Sequence, residues 1–182
     1  MMATNWTFRA AHPCLLLMLA GSPALPKSAA DGTAAAQEGD PARAIAIWRP
    51  LAEAGNPEAQ YWLAQSHRGG WWGVPEDLAQ VAFWHGEAAR QGHVPSYVQL
   101  GRLHDTGVPF RQDHLAAATW FARVALAGNA EGQYEWAILM LRGQGVARDV
   151  ERGQSLLQAA AAQGHDAARA ALCAEVAHRC TG

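Results

Sequence analysis

The fold is decided by a helical stretch that occurs twice. Residues 77–92 read DLAQVAFWHGEAARQG, and residues 113–128 read DHLAAATWFARVALAG. In each stretch an Asp comes first, a Trp follows seven residues later, and a Gly comes eight residues after the Trp. Asp is a favourable N-cap because its carboxylate accepts from free backbone N–H groups, and Gly adopts the left-handed conformation that ends helices. The stretch therefore predicts one helix, called helix B, between the Asp and the Gly.

The same spacing continues along the chain in both directions. Trp84 and Trp120 are 36 residues apart, Leu156 lies 36 residues further on, and Ile47 lies 37 residues before Trp84. The preceding Asp and the following Gly recur in all four units, as Asp40, Asp77, Asp113 and Asp149 and as Gly55, Gly92, Gly128 and Gly164. Units of this size cannot bury an apolar face alone, so four in register predict a stacked helical solenoid.

A second helix, helix A, follows each Gly, over residues 59–67, 96–104, 132–140 and 168–176. Its apolar positions i, i+4, i+5 and i+8 lie on one helix face. The third of these positions always carries a small residue, so that a neighbouring helix can approach closely: Ala64, Gly101, Ala137 and Cys173. A Gly-rich turn, clearest at residues 143–149, joins helix A to helix B. We expect an all-α superhelix of about four helix pairs, with a degenerate cap near residues 34–37 and a closing half-repeat.

Residues 39–55, GDPARAIAIWRPLAEAG, followed by Ala59-Gln60-Tyr61, resemble the opening of bacterial Sel-one-like (Sel1-like) repeat proteins, which are related to tetratricopeptide repeats. The resemblance covers about residues 33–178. It implies an α/α solenoid that acts as an adaptor in protein complexes. The sequence departs from the family pattern where His67 and His104 replace a helix-A Tyr, where Pro109 replaces a turn Gly, and in the lengthened turn that contains Trp71 and Trp72.

The first 30 residues have the features of a secretion signal. Arg9 and His12 precede an apolar run at residues 14–20, which is too short to span a bilayer, and small residues follow at positions 21–24. Cleavage is expected after Ala24 or Ala30, and Ser22 stands where a lipoprotein carries its lipidated Cys. The alternative is a leader that is never cut. We predict a periplasmic or secreted protein with a signal peptide and linker over residues 1–30 and an array over 31–182, divided at residues 31–55, 56–92, 93–128, 129–164 and 165–182.

The charge pattern argues against a nucleic-acid partner. The formal net charge is −2, and Lys and Arg do not cluster as phosphate binding requires. We also expect no membrane span, no metal and no cofactor. His67 and His104 would lie about 10 Å apart in successive repeats, too far for a shared ion, so packed rings are expected. His93 and His165 follow a helix-ending Gly, and we expect their rings to be solvated.

The expected function is binding a protein or peptide in the groove of the array. With the apolar face of helix A turned inward, a row of side chains points away from it, and in tetratricopeptide-like arrays helix A lines the concave groove. We therefore predict a binding surface of Tyr61, Trp62, Gln65, Gln99, Arg102, Tyr134, Glu135 and Ile138, with Val98 in the same row and Trp71 and Trp72 in a nearby turn. The alternatives are that Tyr61 and Trp62 pack on the preceding helix B, and that Trp71 and Trp72 form a lid over the array.

Two other functions stay open. Cysteine-rich relatives in the resembled family are linked to penicillin binding, which allows an enzyme acting on cell-wall or β-lactam material, but this chain lacks the Cys pairs that join their successive helices. No catalytic motif stands in a recognisable elbow, so we expect no enzyme. A purely structural subunit of an envelope complex is the other alternative. Cys173 and Cys180 can form a disulfide only if the last helix ends before Cys180, since seven residues of helix separate them by about 10 Å.

Overall fold

The computed structural model describes residues 28–70 and 73–180, with residues 175–180 described by their backbone alone. Within these ranges all regular structure is helical, which confirms the predicted all-α class. The helices are α1 (Ala29–Gln37), α2 (Pro41–Glu53), α3 (Pro57–Arg68), α4 (Leu78–Arg90), α5 (Val94–Thr106), α6 (His114–Leu126), α7 (Ala130–Arg142), α8 (Val150–Ala162) and α9 (Asp166–Cys180).

Each helix packs against the next one along the chain. Helices α3, α5, α7 and α9 are the predicted helices A, and α2, α4, α6 and α8 are the predicted helices B. The pairs α3–α4, α5–α6 and α7–α8 are in extensive contact, and successive pairs stack through α4–α5 and α6–α7. The structure is therefore the predicted α/α solenoid, in which most contacts join neighbours in sequence.

The caps of helix B are those the sequence predicts. Asp77 accepts from the backbone N–H groups of Ala79 and Gln80 at 3.0 and 3.1 Å. The equivalent Asp residues cap α2, α6 and α8 in the same way. Gly92 has a φ of 86°, and a Cβ at this position would meet no atom within 4 Å. The left-handed backbone, and not a lack of space, is therefore what favours glycine after each helix B.

The small-residue position of helix A admits a large side chain from the next helix B. A Cβ added to Gly101 would lie 2.4 Å from Cε1 of Phe121, so the aromatic ring occupies the place of a side chain. Ala64 and Ala137 are fully buried at the same position. Cys173, in the last helix A, is exposed because the described chain places no further repeat on it.

The most deeply buried position of helix B is one residue later than the Trp column that reveals the repeat. Trp84 and Trp120 are half-buried, and each packs on an apolar cluster formed by the preceding repeat and the helix A of its own repeat. The side chains that are fully buried stand directly after them, at the equivalent positions Trp48, His85, Phe121 and Leu157. Trp84 and Trp120 are therefore wedged between repeats, while the following column forms the centre of each one.

The two ends of the array differ. At the first end, the indole Nε1 of Trp48 donates to the carbonyl oxygen of Ala29 at 3.0 Å, so α1 covers the core as a cap. At the other end α9 continues to Cys180, and Cys173 is unpaired. The helix end that a Cys173–Cys180 bridge requires is absent from this structure, although the side chain of Cys180 lies outside the described residues. The disulfide and the division into leader and array stay predictions.

No helix among the described residues is long and apolar enough to cross a membrane.

Candidate functional site

The predicted binding row lies on helices A, but its side chains are not free. All of its described members are at least half-buried, and Val98 is buried. Trp71 and Trp72 lie outside the described residues. The row was predicted from the helical direction of each residue alone, whereas its exposure depends on contacts with the adjacent repeats. Its role in binding stays a prediction, and the contacts below show which part of it leaves space for a partner.

The first part of the row is committed to packing. Trp62 stacks on Trp48 of the preceding helix B, with ring centroids 5.7 Å apart and planes at 11°, and its Nε1 donates to Glu58 at 2.7 Å. The ring of Tyr61 meets that of His85 at 5.4 Å, and its hydroxyl accepts from Gln65 at 2.9 Å. For Trp62, the structure therefore shows the contact with the preceding helix B that the alternative interpretation requires.

We call the contact between two successive helices A a joint; the array has two outer joints and a middle one. In each outer joint a Glu of one helix A pairs with the His just before the next helix A, an arrangement that we call the Glu–His clamp. In the first outer joint, between α3 and α5, His93 Nε2 lies 3.0 Å from Glu58 Oε2, and the ring of Tyr61 lies 5.2 Å from the His93 ring. The side chain of His93 is only 12% exposed. The prediction of a solvated ring is therefore wrong, because this ring is held between a Tyr and a Glu of the preceding repeat.

The second outer joint, between α7 and α9, repeats the arrangement. His165 Nε2 lies 3.0 Å from Glu131 Oε2, the ring of Tyr134 stacks on the His165 ring at 4.8 Å, and His165 is 14% exposed. The prediction of a solvated His165 is wrong for the same reason. A Gln–Gln hydrogen bond accompanies each clamp, from Gln91 to Gln60 at 2.9 Å and from Gln163 to Gln133 at 2.8 Å.

The middle joint, between α5 and α7, lacks this clamp. Pro95 stands where the outer joints have Glu, Tyr97 where they have Gln, Val98 where they have Tyr, and Asn129 where they have His. The helices are tied instead by Arg102, whose Nε donates to Glu135 at 2.7 Å and which also pairs with Glu131. Partial burial opposes the charge of Arg102, but the hydrogen bond and charge of Glu135, aided by Glu131, outweigh it and raise the pKa of Arg102.

The middle joint opens into a recess of about 270 Å³, which we call the A-face recess. The residues that replace the clamp line it, and the smaller Val98 and Asn129 leave unfilled the space that a Tyr and a His occupy in the outer joints. Its lining includes Tyr61, Pro95, Val98, Arg102, Asn129 and Glu131. The signal was present in the sequence: residues 58–61 and 131–134 read EAQY and EGQY, whereas residues 95–98 read PSYV.

A buried polar chain in the first repeats has the residue types of a hydrolytic triad. Ser96 Oγ lies 2.9 Å from His93 Nδ1, and the same ring reaches Glu58 through Nε2. However, Ser96 is 0% exposed, so a substrate cannot reach its hydroxyl. Ser96 Oγ also lies 3.3 Å from His85 Nδ1. These hydrogen-bonded side chains therefore serve packing, and they give no support to the hypothesis of an enzyme that acts on the cell wall.

His85 is the polar member of the fully buried column. Burial, followed by the charges of Arg68 and His93, lowers its pKa to about 3. Its Nε2 is buried and makes no hydrogen bond among the described residues. The ring is consequently neutral at physiological pH, and it fills a place that Trp48, Phe121 and Leu157 fill elsewhere.

His67 and His104 are packed rings, as predicted. His67 is half-buried, and His104 stacks on Phe110 with centroids 4.8 Å apart. The described residues contain no group of three His, Cys, Asp or Glu side chains that could hold a metal ion.

The chain is similar to known repeat proteins. It is 31% identical over 107 residues to the Sel1-repeat-containing protein YjcO of Escherichia coli K12, a match covering 59% of this chain and 44% of YjcO. The YjcO protein of Shigella flexneri matches with the same figures. The chain thus spans less than half the length of these curated relatives.

Solved structures share the architecture. The structure of c5321, a protective antigen of uropathogenic Escherichia coli with an SLR fold, matches with a TM-score of 0.68 and 29% identity over 75% of this chain and 30% of that chain. A Sel1 repeat protein from Oxalobacter formigenes matches with a TM-score of 0.63 and 27% identity over 71% of this chain and 97% of that one. Cysteine rich protein B of Helicobacter pylori, at 13% identity and a TM-score of 0.53, shows the fold alone.

The sequence pattern of the Sel1 repeat matches residues 57–93, 94–129 and 130–165. Each match contains one helix A and one helix B, from α3–α4 to α7–α8. This helical fold commonly serves as a protein-interaction module. Because the three matches together cover more than half of the sequence, the chain belongs to the Sel1 repeat family.

Proposed function

We propose that this chain is an exported interaction module that binds a peptide or a protein segment along α3, α5 and α7. In this proposal one side chain of the partner enters the A-face recess. The observation that carries the proposal is that the middle joint lacks the Glu–His clamp of the two outer joints and opens into the recess. An open joint between two closed ones supports a binding position in the centre of the array.

The chemistry of the A-face recess suits a side chain with an apolar body. Val98 and Pro95 supply apolar surface, and Tyr61 adds an aromatic edge. Gln99 and Arg102 lie at the same recess and offer hydrogen-bond donors to a partner backbone. Aromatic residues and Arg supply much of the binding energy at protein interfaces. Since Arg102 is already paired with Glu131 and Glu135, the recess favours a partner group that is not strongly charged.

Export is the second part of the proposal. It is supported by the basic, apolar and small-residue order of residues 9–24. N-terminal sequencing of the protein recovered from a periplasmic fraction tests it directly. The expected mature protein begins at Leu25 or Asp31. An intact Met1 in a protein that stays in the cytoplasm would contradict export without affecting the binding proposal.

The binding proposal can be tested by rebuilding the clamp. The double variant Pro95→Glu with Asn129→His places in the middle joint the residues that close both outer joints, and His is already the N-cap residue at positions 93 and 165. We expect this variant to fold normally and to lose a partner that the tagged full-length chain captures from the native envelope. Gln158→Leu, an exposed change on α8, is the matched control and should retain the partner.

Variants at Tyr61 and Trp62 are less suitable for this test. Both rings contact the core through Trp48, His85 and His93, so their removal would affect folding as well as binding. The half-buried state of the predicted row also supports the structural-subunit alternative. A partner that stays bound to the rebuilt clamp variant would favour that alternative and contradict the proposed recess.

A further inference from the structure

A second recess lies on the opposite side of α5 and is lined by residues of α4, α5 and α6. We call it the B-face groove; its volume is about 390 Å³. Tyr97 and Leu100 of α5 form its floor, and they leave α5 on the side opposite to Pro95 and Val98. Trp120 of α6 stacks on Tyr97, with ring centroids 5.4 Å apart, and forms one wall. The groove is therefore separate from the A-face recess.

On the side opposite Trp120 the groove is lined by Gly86, in the middle of α4, which has no side chain to fill it. A glycine inside a helix costs about 1 kcal/mol relative to alanine, so its presence needs a reason. A Cβ at Gly86 would meet no atom within 4 Å, and its φ is not in the left-handed region. Neither close packing nor backbone conformation requires this glycine, and its effect on the structure is to leave the groove open.

The rim of the groove is cationic. Arg123 lies over the rings of Tyr97 and Trp120, with its guanidinium carbon 5.3 and 5.8 Å from their centroids. None of the ion pairs found within residues 28–70 and 73–174 involves Arg123. Arg90 also lines the groove and is paired with Glu87 on its own helix, while the lining itself contains no Asp or Glu. A carboxylate that approaches Arg123 would therefore gain an ion pair without displacing one.

The next groove along the array lacks these features. Between α6 and α8, Ala122 stands at the place of Gly86, Leu156 at that of Trp120 and Ala159 at that of Arg123. Gln133, at the place of Tyr97, is occupied by its hydrogen bond with Gln163. The combination of an aromatic floor, an open wall and a guanidinium is therefore absent from the groove between α6 and α8.

We infer that the B-face groove binds an acidic segment of a partner protein, which inserts one aromatic or aliphatic side chain against Tyr97 and Trp120 and sets a neighbouring carboxylate on Arg123. The charge of the rim selects the acidic segment, and the apolar floor selects its inserted side chain. This site goes beyond the proposed function because it lies on the other face of α5.

The test uses the full-length chain and three fluorescein-labelled peptides, measured by fluorescence anisotropy at low salt. The first has one Phe between two short runs of Glu, the second has Lys in place of Glu, and the third has Ala in place of Phe. We expect the Glu–Phe peptide alone to bind well. Gly86→Leu fills the groove and should weaken its binding about tenfold or more, and Arg123→Gln should weaken it several-fold.

Three controls separate the groove from general effects. Gly86→Ala adds only one methyl group to the groove, so binding should weaken far less than in Gly86→Leu while the thermal midpoint rises. Gln158→Leu makes the equivalent change on exposed α8 and should have no effect. Pro95→Glu with Asn129→His should also leave this binding unchanged, since it alters the A-face recess. Equal binding of the Glu and Lys peptides, no measurable binding of the Glu–Phe peptide, or unaltered binding to Gly86→Leu would overturn the inference.

Discussion

The outer joints and the middle joint of this array are built from the same helices, but different side chains connect those helices at the surface. In the outer joints a Glu, a Tyr and a Gln of one helix A hold the His and the Gln that lie just before the next helix A. In the middle joint Pro95, Tyr97, Val98 and Asn129 occupy the equivalent places, and space opens on both sides of α5. The comparison teaches that a solenoid can keep its core unchanged while individual joints are closed or open, because each repeat contacts only its neighbours.

The clamps determine the shape of a joint more than they determine its stability. The side chain of Glu58 is 51% exposed, and ion pairs with exposed partners contribute less than about 1 kcal/mol. Stability comes mainly from the buried apolar core, which includes Trp48, Phe121 and Leu157. Stability and openness are therefore controlled by different residues, and they can be tested separately.

The largest expected effect is on the free energy of unfolding, and it should be similar in different repeats of the array. Trp48→Ala and Phe121→Ala each remove a fully buried ring from the same repeat position, and each should lower the free energy of unfolding by about 3 to 5 kcal/mol. Urea denaturation followed by circular dichroism measures both values. If Phe121→Ala alone lowered the free energy of unfolding only slightly, the core at the middle joint would be weaker. That result would contradict the claim that stability and the openness of a joint depend on different residues.

A second prediction concerns the pH dependence of the first outer joint. His85 stays neutral in the folded chain down to about pH 3, whereas the unfolded chain protonates it below its ordinary pKa of 6.5. The unfolded state binds more protons between these values, so the stabilisation is full above pH 6.5 and declines as the pH falls toward 3.

The amount lost through His85 should be about 2 kcal/mol between pH 7 and pH 5. The matched control is His85→Leu, which has the residue found at position 157, and all carboxylates are common to both chains. Urea denaturation at the two pH values should show a loss in the original chain that exceeds the loss in His85→Leu by this amount. Equal losses in both chains would show that His85 is not the responsible group.

The smallest effect is expected from closing the middle joint. Pro95→Glu with Asn129→His should raise the free energy of unfolding by no more than about 1 kcal/mol, because the added pair lies near the surface. Its effect on shape should be larger than its effect on stability. A double-mutant cycle over the two positions measures the coupling, and a coupling of zero would show that the Glu–His arrangement does not transfer to this joint.

The helices could be predicted from the sequence because their signals are local. Asp77, Asp113 and Asp149 cap the helix that begins immediately after them, and Gly92 and Gly128 follow the end of the same helix. The depth of burial was less predictable. Trp84 and His85 are neighbours on one stripe of α4, and which of them lies deeper depends on where the adjacent repeat packs.

The clamps were not predicted because the side chains that form them lie far apart in the sequence. The position of His93 and His165 after a Gly predicts solvated rings, but Glu58 and Glu131, which hold these rings, come 35 and 34 residues earlier. Aligning EAQY and EGQY with PSYV would have shown that the middle repeat differs. The place of the predicted row on helices A follows from the local repeat pattern, whereas its burial depends on the contacts between repeats.

The central claim, that a partner enters the open middle joint, is tested most directly by photo-crosslinking in the native envelope, with a position on the last helix A as the control. A benzoylphenylalanine replaces Pro95 in one chain and Ala167, which is its equivalent in the last repeat, in another; both positions are exposed. The account predicts a crosslinked partner from position 95 and little or none from position 167. Crosslinking at position 167 that equals that at position 95, or none at position 95, would contradict it.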